Sequence, residues 1–255
     1  MSSTIHADWD VPGVTAFCTL RTGGVSTEPW ASWNLGDHVG DDSQAVAYNR
    51  ERLRDVLASR GVCQAPVWLE QVHGTRVLEL CGQQGPQVTS TFDRTADGAW
   101  TQYPGVPCVV MTADCLPVIF SASDGSVVGV AHAGWRGLAG GVLEAVVSSM
   151  PVNPEQLSVW LGPAIGPTAF EVGVEVLNAF SEVLGEAALA CFTEGAAPGK
   201  YLADLYALAR LRLAIAGVGT VYGGEHCTYS EPSKFFSYRR DGVTGRMATV
   251  VMIDP

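Results

Sequence analysis

Two histidines and one cysteine lie at the ends of apolar runs that are typical of β-strands. His73 follows WLEQV, His132 follows SVVGVA, and Cys115 comes just after VPCVVMTAD. Side chains at strand ends can meet above one edge of a sheet, and imidazole with thiolate is a ligand set suited to zinc. Three protein ligands leave the fourth tetrahedral position open for water, as in catalytic zinc sites. The pattern predicts such a site, although spacings of 42 and 17 residues do not establish it alone.

Two other interpretations of the same residues stay open. A free cysteine in an apolar segment is most often a buried core thiol. Cys115 and His132 would also serve as a nucleophilic dyad that needs no metal. Asp114 favours a functional interpretation, because a carboxylate in an apolar run is costly to bury unless it is paired. We expect Asp114 to orient a ligating imidazole or to handle protons.

A glycine-rich junction, HAGWRGLAGGV, is the second feature that could carry chemistry. Glycines let backbone amides approach a ligand, and a helix N-terminus favours an anion. Arg136 in this junction is the first candidate for a charge-assisted contact to a phosphate or carboxylate, and Arg21 and Arg240 are the next. The alternative for Arg136 is a tight turn that carries a surface arginine.

The remaining histidines are interpreted as structural. His6 lies in the N-terminal segment, His38 follows NLGD, and His226 stands beside Cys227. Each is best explained as a hydrogen-bonding loop residue.

Composition limits the class of protein and of partner. The 255 residues carry 15 basic and 26 acidic side chains, a net charge of −11, and 47% of them are hydrophobic, which excludes intrinsic disorder. Nucleic-acid-binding surfaces are normally basic, so we expect no nucleic-acid partner. A small phosphorylated ligand held by local arginines is compatible with this charge.

The cysteines and the N-terminus predict a cytoplasmic protein that is not inserted in a membrane. Seven cysteines without a paired C-x-x-C motif argue against a disulfide framework. The start, MSSTIHADWD, has neither the basic nor the apolar region of a signal peptide, and no apolar run is long enough to span a bilayer.

The distribution of apolar residues predicts an α+β fold in one domain covering residues 1–255. After Asp42, residues such as Val46 and Leu53 recur at helical spacing, and Gly61 ends that helix. Strands and helices mix without a regular βαβ order, which favours α+β over a doubly wound fold. The predicted strands cover 14–20, 66–70, 75–80, 106–112, 116–120, 126–132, 157–161 and 247–253. The further predicted helices cover 138–150, 173–184 and 201–216.

Several longer motifs together resemble one family. TRTGGVS, NLGDHVGDD, WLEQVHG, MTADCLPVIF, VAHAGWRGLAGGV, WLGPAIGP and CTYSEPSKFFSYRRDGVTGRMA occur in this order between residues 20 and 248. The chain resembles the bacterial branch of the laccase-domain family, whose members are described as polyphenol oxidases, as purine nucleoside phosphorylase and adenosine deaminase enzymes, or as peptidoglycan editing factors.

The resemblance implies a fold and a metal site. The fold would be a single compact α+β domain with mixed sheets layered between helices, in an α/β/β/α arrangement. The metal would be zinc, with copper as the alternative, held by the histidine of QVHG, the cysteine of ADC and the histidine of AHAGWRG. Those motifs correspond to His73, Cys115 and His132 of this sequence.

The resemblance also implies reactions and partners. They are phosphorolysis of adenosine, inosine and 5′-methylthioadenosine, and hydrolytic deamination of adenosine, with a purine nucleoside and phosphate as small-molecule partners of a monomer or small homo-oligomer. The alternatives are an amidohydrolase that removes misincorporated L-serine from peptidoglycan precursors, a metal-free cysteine hydrolase, and a non-enzymatic zinc scaffold.

Copper-dependent phenol oxidation is rejected as the primary activity. A mononuclear copper with a trinuclear cluster needs around ten histidines in H-x-H pairs, as ligand number and type require. The chain has five histidines and no H-x-H motif.

Overall fold

Two stacked β-sheets form the centre of the fold, and helices cover their outer faces. A computed structural model describes residues 3–81 and 93–255. Its strands are β1 (Thr4–His6), β2 (Val14–Thr19), β3 (Val77–Glu79), β4 (Gly98–Thr101), β5 (Cys108–Thr112), β6 (Leu116–Ala122), β7 (Val128–Ala133), β8 (Leu157–Leu161), β9 (Glu171–Gly173), β10 (Phe192–Glu194), β11 (Lys200–Ala203), β12 (Thr220–Gly223) and β13 (Met247–Ile253).

The helices of the described residues are short to medium in length. They are α1 (Ser43–Ala58), α2 (Trp135–Gly140), α3 (Val142–Ser149), α4 (Val174–Leu184), α5 (Leu205–Ile215) and α6 (Tyr238–Asp241). Short 3₁₀ segments cover Pro154–Gln156 and Gly185–Cys191. Within the described ranges, no helix is long and apolar enough to cross a membrane.

The sheets differ in the direction of their strands. The four-stranded sheet, in the order β1-β2-β13-β5, is antiparallel throughout. The six-stranded sheet, in the order β12-β8-β6-β7-β4-β3, is parallel at its two edge pairs and antiparallel between them. A small antiparallel sheet, β10-β11-β9, completes the set.

Strand β13 shows how one strand contributes to two hydrophobic layers. Successive side chains of a strand point to opposite faces. Met247 and Val251 therefore pack in the cluster between the two large sheets, whereas Val250 and Met252 pack in the cluster that includes Leu53 of α1.

The six-stranded sheet is buried on both faces in the same way. Ile119 of β6 lies in the layer between the sheets, while Val118 and Phe120 pack with Leu143 of α3 and Leu208 of α5. The layers run helix, sheet, sheet, helices, so the predicted α+β fold with an α/β/β/α arrangement is confirmed. All seven cysteines are free.

Strongly periodic elements match their predictions closely. Helix α1 begins at the predicted cap, where one Asp42 side-chain oxygen accepts hydrogen bonds from Gln44 N and Ala45 N, each at 2.9 Å. Such a cap satisfies amide donors that have no partner within the helix. Strands β2, β8 and β13 and helix α4 also match to within a residue or so.

Three predicted elements are wrong in part, each for a local reason. Residues 66–70 form no strand beyond one bridge between Glu70 and Thr95, because this segment turns toward a cavity. The helix predicted at 138–150 is divided into α2 and α3 at Gly141, whose φ of +99° ends a regular helix. The helix predicted from 201 begins only after Asp204, since residues before it pair in β11.

We expect Phe120→Ala to lower the free energy of unfolding by about 3–5 kcal/mol, because it removes a large side chain that is fully buried in the sheet–helix layer. Tyr48→Ala is the control, since Tyr48 is 59% exposed and should change stability by less than about 0.5 kcal/mol. Urea unfolding followed by circular dichroism measures both. Equal effects of the two substitutions would contradict this account of the core.

Candidate functional site

The structure brings His73, Cys115 and His132 together at one end of the two large sheets. The ligand atoms of these three side chains all lie within 4.8 Å of one another. Cys115 Sγ is 3.7 Å from His73 Nε2, and the two imidazole rings meet edge to face with centroids 4.7 Å apart. Three side chains that are far apart in the sequence therefore bring one sulfur atom and two imidazoles, which are possible metal ligands, close together.

The pairing of β6 with β7 explains how two of the three residues meet. In this antiparallel pair Leu116 is opposite Ala133, and Pro117 is opposite His132. Cys115 immediately precedes the first residue of β6, so the strand register places it beside His132 at the sheet end. The third residue, His73, reaches the same point from a loop.

Asp97 holds that loop and the His132 ring together. Its side chain is fully buried, with one oxygen accepting hydrogen bonds from His132 Nδ1 at 2.8 Å and His73 N at 2.9 Å. The other oxygen accepts from Gly74 N at 2.7 Å and Val72 N at 3.2 Å. Because Nδ1 of His132 is engaged by Asp97, Nε2 is the ring nitrogen left for the group of three.

Burial acts to raise the pKa of Asp97, but its hydrogen bonds to His132 and the backbone amides outweigh burial and lower it. A buried carboxylate is stable when several donors compensate its charge. The same bonds support an unusual backbone at His73, whose φ of +61° lies in the left-handed region. Such a conformation costs roughly 1–3 kcal/mol in a residue other than glycine and is retained only where its surroundings fix it.

The thiol and imidazole of the group change each other's pKa. Burial alone would raise the pKa of Cys115, but the neighbouring His132 and His73 rings lower it to about 6. Burial alone would lower the pKa of His132, but Cys115 and Asp97 raise it to about 9. The thiolate is the form of cysteine that binds metals, so this environment favours the ligating form of Cys115 at neutral pH. The same environment favours protonated His132, which has to release its proton when it binds a metal.

Gly134 lets the three side chains approach the backbone after β7. A Cβ atom at this position would lie 2.6 Å from His73 Cδ2 and 3.0 Å from Cys115 Sγ. The backbone there has φ of −61° and ψ of 156°, which any residue can adopt. Glycine is needed at Gly134 for space rather than for backbone freedom.

The donor set fits zinc. Two imidazoles and one thiolate are typical zinc ligands, and three of them leave one position for a reactant. Within residues 3–81 and 93–255, no other three side chains of histidine, cysteine, aspartate or glutamate lie close enough together to hold one metal ion. The eleven residues between the two ranges contain none of these four types.

A cavity of about 780 Å³ opens beside the group, and all three residues line it. This is a typical volume for a site that binds a small molecule. The wall also includes the apolar or aromatic side chains of Trp68, Met111 and Tyr238. Its cationic side chains are Arg94 and Arg246, and its acidic or imidazole side chains are Asp37, His38 and Glu70.

Asp114, which is predicted to orient a ligating imidazole or to handle protons, has both carboxylate oxygens hydrogen-bonded to groups outside the ligand group. Thr228 Oγ1 and Arg239 N each donate a hydrogen bond of 2.6 Å to the Asp114 carboxylate. Asp114 thereby fixes the turn before Cys115 to a distant loop, with its own backbone at φ of +96°. Asp97 orients His132 instead.

The three arginines predicted to bind phosphate are not among the residues that line the cavity. Arg21 donates to Ala31 O and Pro232 O, so its guanidinium fixes loops. Arg240 donates to three backbone carbonyls and to Asp241. Arg136 is exposed and lies over the Trp135 ring, 4.3 Å from its centroid.

Several residues of the cavity wall are not among those predicted from the sequence. Arg94 and Arg246 line the cavity, and so does His38, which was interpreted as structural. Asp97 was also missed, although the rule applied to Asp114, an acidic residue in an apolar run, would have found it in ADGAW.

Comparisons with known proteins agree with this architecture. The family model described as multi-copper polyphenol oxidoreductase laccase matches residues 15–254. A protein of Escherichia coli (strain K12) named purine nucleoside phosphorylase YfiH is 50% identical over 99% of this chain and 100% of its own length. A Pseudomonas aeruginosa protein named purine nucleoside phosphorylase PA4543 is 49% identical over 99% of both chains. The crystal structure of Neisseria meningitidis protein NMB0706 is 47% identical, with a TM-score of 0.90 over 100% of both chains.

Replacing Asp97 with asparagine should weaken zinc binding roughly 10–100-fold, because the carboxylate that fixes His132 and the His73 loop is lost. The free energy of unfolding should fall by about 2–4 kcal/mol, because one acceptor oxygen becomes a donor facing backbone amides. Zinc competition titration and urea unfolding measure the two effects. Asp55→Asn, at an exposed position of α1, is the matched control, and an Asp97→Asn variant indistinguishable from it would refute this role.

Gly134→Ala should reduce zinc affinity while leaving the fold intact, because the added methyl group would displace His73 and Cys115. Gly219→Ala is the control, since the nearest atom to a Cβ there is 3.9 Å away. Cobalt substitution reports the ligand geometry through its visible absorption spectrum. Identical cobalt spectra for both variants would show that Gly134 is not needed for the approach of the ligands.

Proposed function

The chain belongs to the family described as multi-copper polyphenol oxidoreductase laccase, and on this premise we propose that it is a zinc-dependent purine nucleoside enzyme. Its proposed reactions are phosphorolysis of adenosine, inosine and 5′-methylthioadenosine and hydrolytic deamination of adenosine. The single observation that carries the proposal is a three-ligand group of two imidazoles and one thiolate on the wall of a cavity of nucleoside size. The relatives named purine nucleoside phosphorylase support the same class of enzyme.

The cavity offers suitable surfaces for each part of a nucleoside. Trp68 and Tyr238 supply aromatic faces for a purine ring, and the Arg50 guanidinium, 4.2 Å from the Trp68 ring centroid, fixes the indole from one side. Asp37 and Glu70 supply acceptors for ribose hydroxyls. Arg94 and Arg246 supply positive charge for phosphate.

Phosphorolysis forms a bond between a phosphate oxygen and C1′ of the ribose and breaks the bond from C1′ to the base. The purine leaves with the electron pair of that bond and takes up a proton. Outside the ligand group, His38 and Glu70 are cavity side chains able to carry that proton. Arg94 and Arg246 reduce the repulsion that an anionic nucleophile meets in an acidic protein.

Deamination replaces the amino group at C6 of adenine by oxygen from water and releases ammonia. A zinc ion in the group would supply Lewis acidity and a bound water whose pKa is lowered to roughly 7. The chain's own contribution is to fix the His132 ring through Asp97 and to keep Cys115 as thiolate.

Oxidation of phenols by several copper ions is not part of the proposal. That chemistry needs around ten histidines, as ligand number and type require, and the chain contains five. We propose zinc as the native metal, with copper as the alternative, and a cytoplasmic location, where nucleosides and phosphate are available.

The test is product analysis with the purified chain. Zinc-loaded protein incubated with adenosine and phosphate should release adenine and ribose 1-phosphate, measured by chromatography, and ammonia, measured by a coupled assay. Cys115→Ser should lower both rates more than about 100-fold, because it removes a ligand rather than an outer partner. Cys63→Ser, at a free cysteine that is exposed and lies outside the ligand group, is the matched control.

Other outcomes would favour other activities. Absence of base and ammonia from zinc-loaded protein would refute the proposal. Serine release from a serine-containing peptidoglycan precursor would replace it by the editing amidohydrolase. Full activity after chelation would replace it by metal-free thiol chemistry of Cys115 and His132.

A further inference from the structure

We propose that Gln71 is a positioning residue of the ligand group, which fixes His73 relative to Cys115 by joining the His73 loop to strand β5. The proposal rests on the metal site of the proposed function. Asp97 fixes His73 relative to His132, and the β6–β7 register places Cys115 beside His132. Neither of these interactions acts directly between His73 and Cys115, and the Gln71 side chain does.

The side-chain amide of Gln71 pairs with the backbone of Met111 as a neighbouring strand would. Nε2 of Gln71 donates a hydrogen bond to Met111 O at 2.8 Å, and Met111 N donates to Gln71 Oε1 at 2.7 Å. Both distances are those of well-formed hydrogen bonds. Because the two bonds join the same two residues, they fix the direction of the side chain as well as the distance between the two segments.

Strand β5 offers these groups because it is the last strand of its sheet. In the order β1-β2-β13-β5, only β13 pairs with β5 among the described residues. Residues of an antiparallel strand direct their backbone groups alternately to the two sides, so Val110 faces β13 and Met111 faces Gln71. Met111 is only 6% exposed, so without Gln71 its N–H and C=O would be buried and unsatisfied.

Both residues of this pair lie close to a ligand in the sequence. Gln71 precedes His73 by two residues, and Met111 precedes Cys115 by four, whereas the two ligands are 42 residues apart along the chain. Gln71 and Met111 also line the cavity beside the ligand group. The hydrogen-bonded pair is therefore a short connection between two ligands that the chain itself connects only through a long path.

The segments between the pair and the two ligands are themselves fixed. The Asp97 carboxylate accepts hydrogen bonds from the amides of residues 72–74. The Asp114 carboxylate accepts two hydrogen bonds that hold the turn before Cys115. Because neither segment is free to adjust, a change in the distance between Gln71 and β5 has to appear as a change in the position of the ligating imidazole.

The first test measures metal binding by the full-length chain. Gln71→Leu keeps a side chain of similar size and removes both hydrogen bonds. Its zinc affinity, measured by competition titration, should fall roughly 10-fold, as for other residues that orient a metal ligand. The visible absorption spectrum of the cobalt-substituted protein should change as well. Gln44→Leu, the same substitution at an exposed glutamine of α1, is the matched control and should bind both metals like the unmodified chain.

A second variant and a second measurement test the hydrogen bonds themselves. Gln71→Asn keeps the amide but is one methylene shorter, so it should not reach Met111 and should lower zinc affinity to the same extent, whether or not Gln71→Leu folds. In metal-free protein, the Met111 amide should exchange its hydrogen at least about 10-fold faster in either variant, while exchange at Val110 stays unchanged. Unchanged exchange at Met111 would overturn the proposal.

A double-mutant cycle separates positioning of His73 from a general effect on the fold. In a His73→Ala background, Gln71→Leu should lower zinc affinity by less than about 2-fold, because the ligand that Gln71 positions is already absent. A full additional 10-fold loss would show that the effect reaches the site through other residues and would overturn the proposal. So would a lower free energy of unfolding with unchanged zinc affinity and cobalt spectrum.

These measurements do not depend on turnover, so failure of this proposal and failure of the proposed function can be distinguished. A zinc site that depends on Gln71, in a chain that cleaves and deaminates no nucleoside, would keep the positioning role and refute the proposed function. Nucleoside cleavage by a chain in which Gln71→Leu binds zinc as Gln44→Leu does would keep the function and overturn the role. Absence of zinc binding to the unmodified chain would overturn both.

Discussion

The carboxylate of Asp97 fixes the His73 loop and the His132 ring, which the pairing of β3, β4 and β7 brings close together but does not orient. His132 belongs to β7 of the six-stranded sheet, whereas His73 lies in a loop with a left-handed backbone. Both receive their position from hydrogen bonds to the same carboxylate. A buried charge requires donors to compensate it, and a loop with free amides requires an acceptor. The stability of this region and the geometry of the ligand group therefore depend on one interaction.

The surrounding sheets add what Asp97 cannot provide. The β6–β7 register places Cys115 beside His132, and the β5–β13 register brings Arg246 to the end of the four-stranded sheet that borders the same cavity. These three residues lie at strand ends, where side chains leave the close-packed layers and reach the cavity. Because strand register is strongly specified when both faces of a sheet are buried, the positions of these side chains follow from the hydrophobic core itself.

The sequence predicts the parts of this arrangement that depend on residue type and periodicity. His73, Cys115 and His132 are distinctive because their side chains bind metals, and α1 and β13 because their apolar residues repeat over many positions. Asp97 was not predicted because it precedes β4, and a strand of four residues shows too little alternation of apolar and polar residues to be recognised in the sequence. The arginines need the fold for a different reason. Sequence gives the charge of Arg240 and Arg246 alike, but only the fold shows that backbone carbonyls and Asp241 engage Arg240, whereas Arg246 lines the cavity.

The proposed function requires an acidic chain to bind an anion, so the charges close to the cavity have to favour that anion. The net charge of −11 is spread over the surface, where interactions beyond about 8–10 Å are screened by salt at physiological ionic strength. Inside the cavity, a partly buried cation such as Arg246 is screened much less and interacts more strongly with an anion. The ion pair with Arg50 offsets the negative charge of Asp37 beside the cavity. The net charge of the whole molecule therefore does not decide which ligand the cavity accepts. The arrangement of the few charges within one Debye length of the cavity decides it.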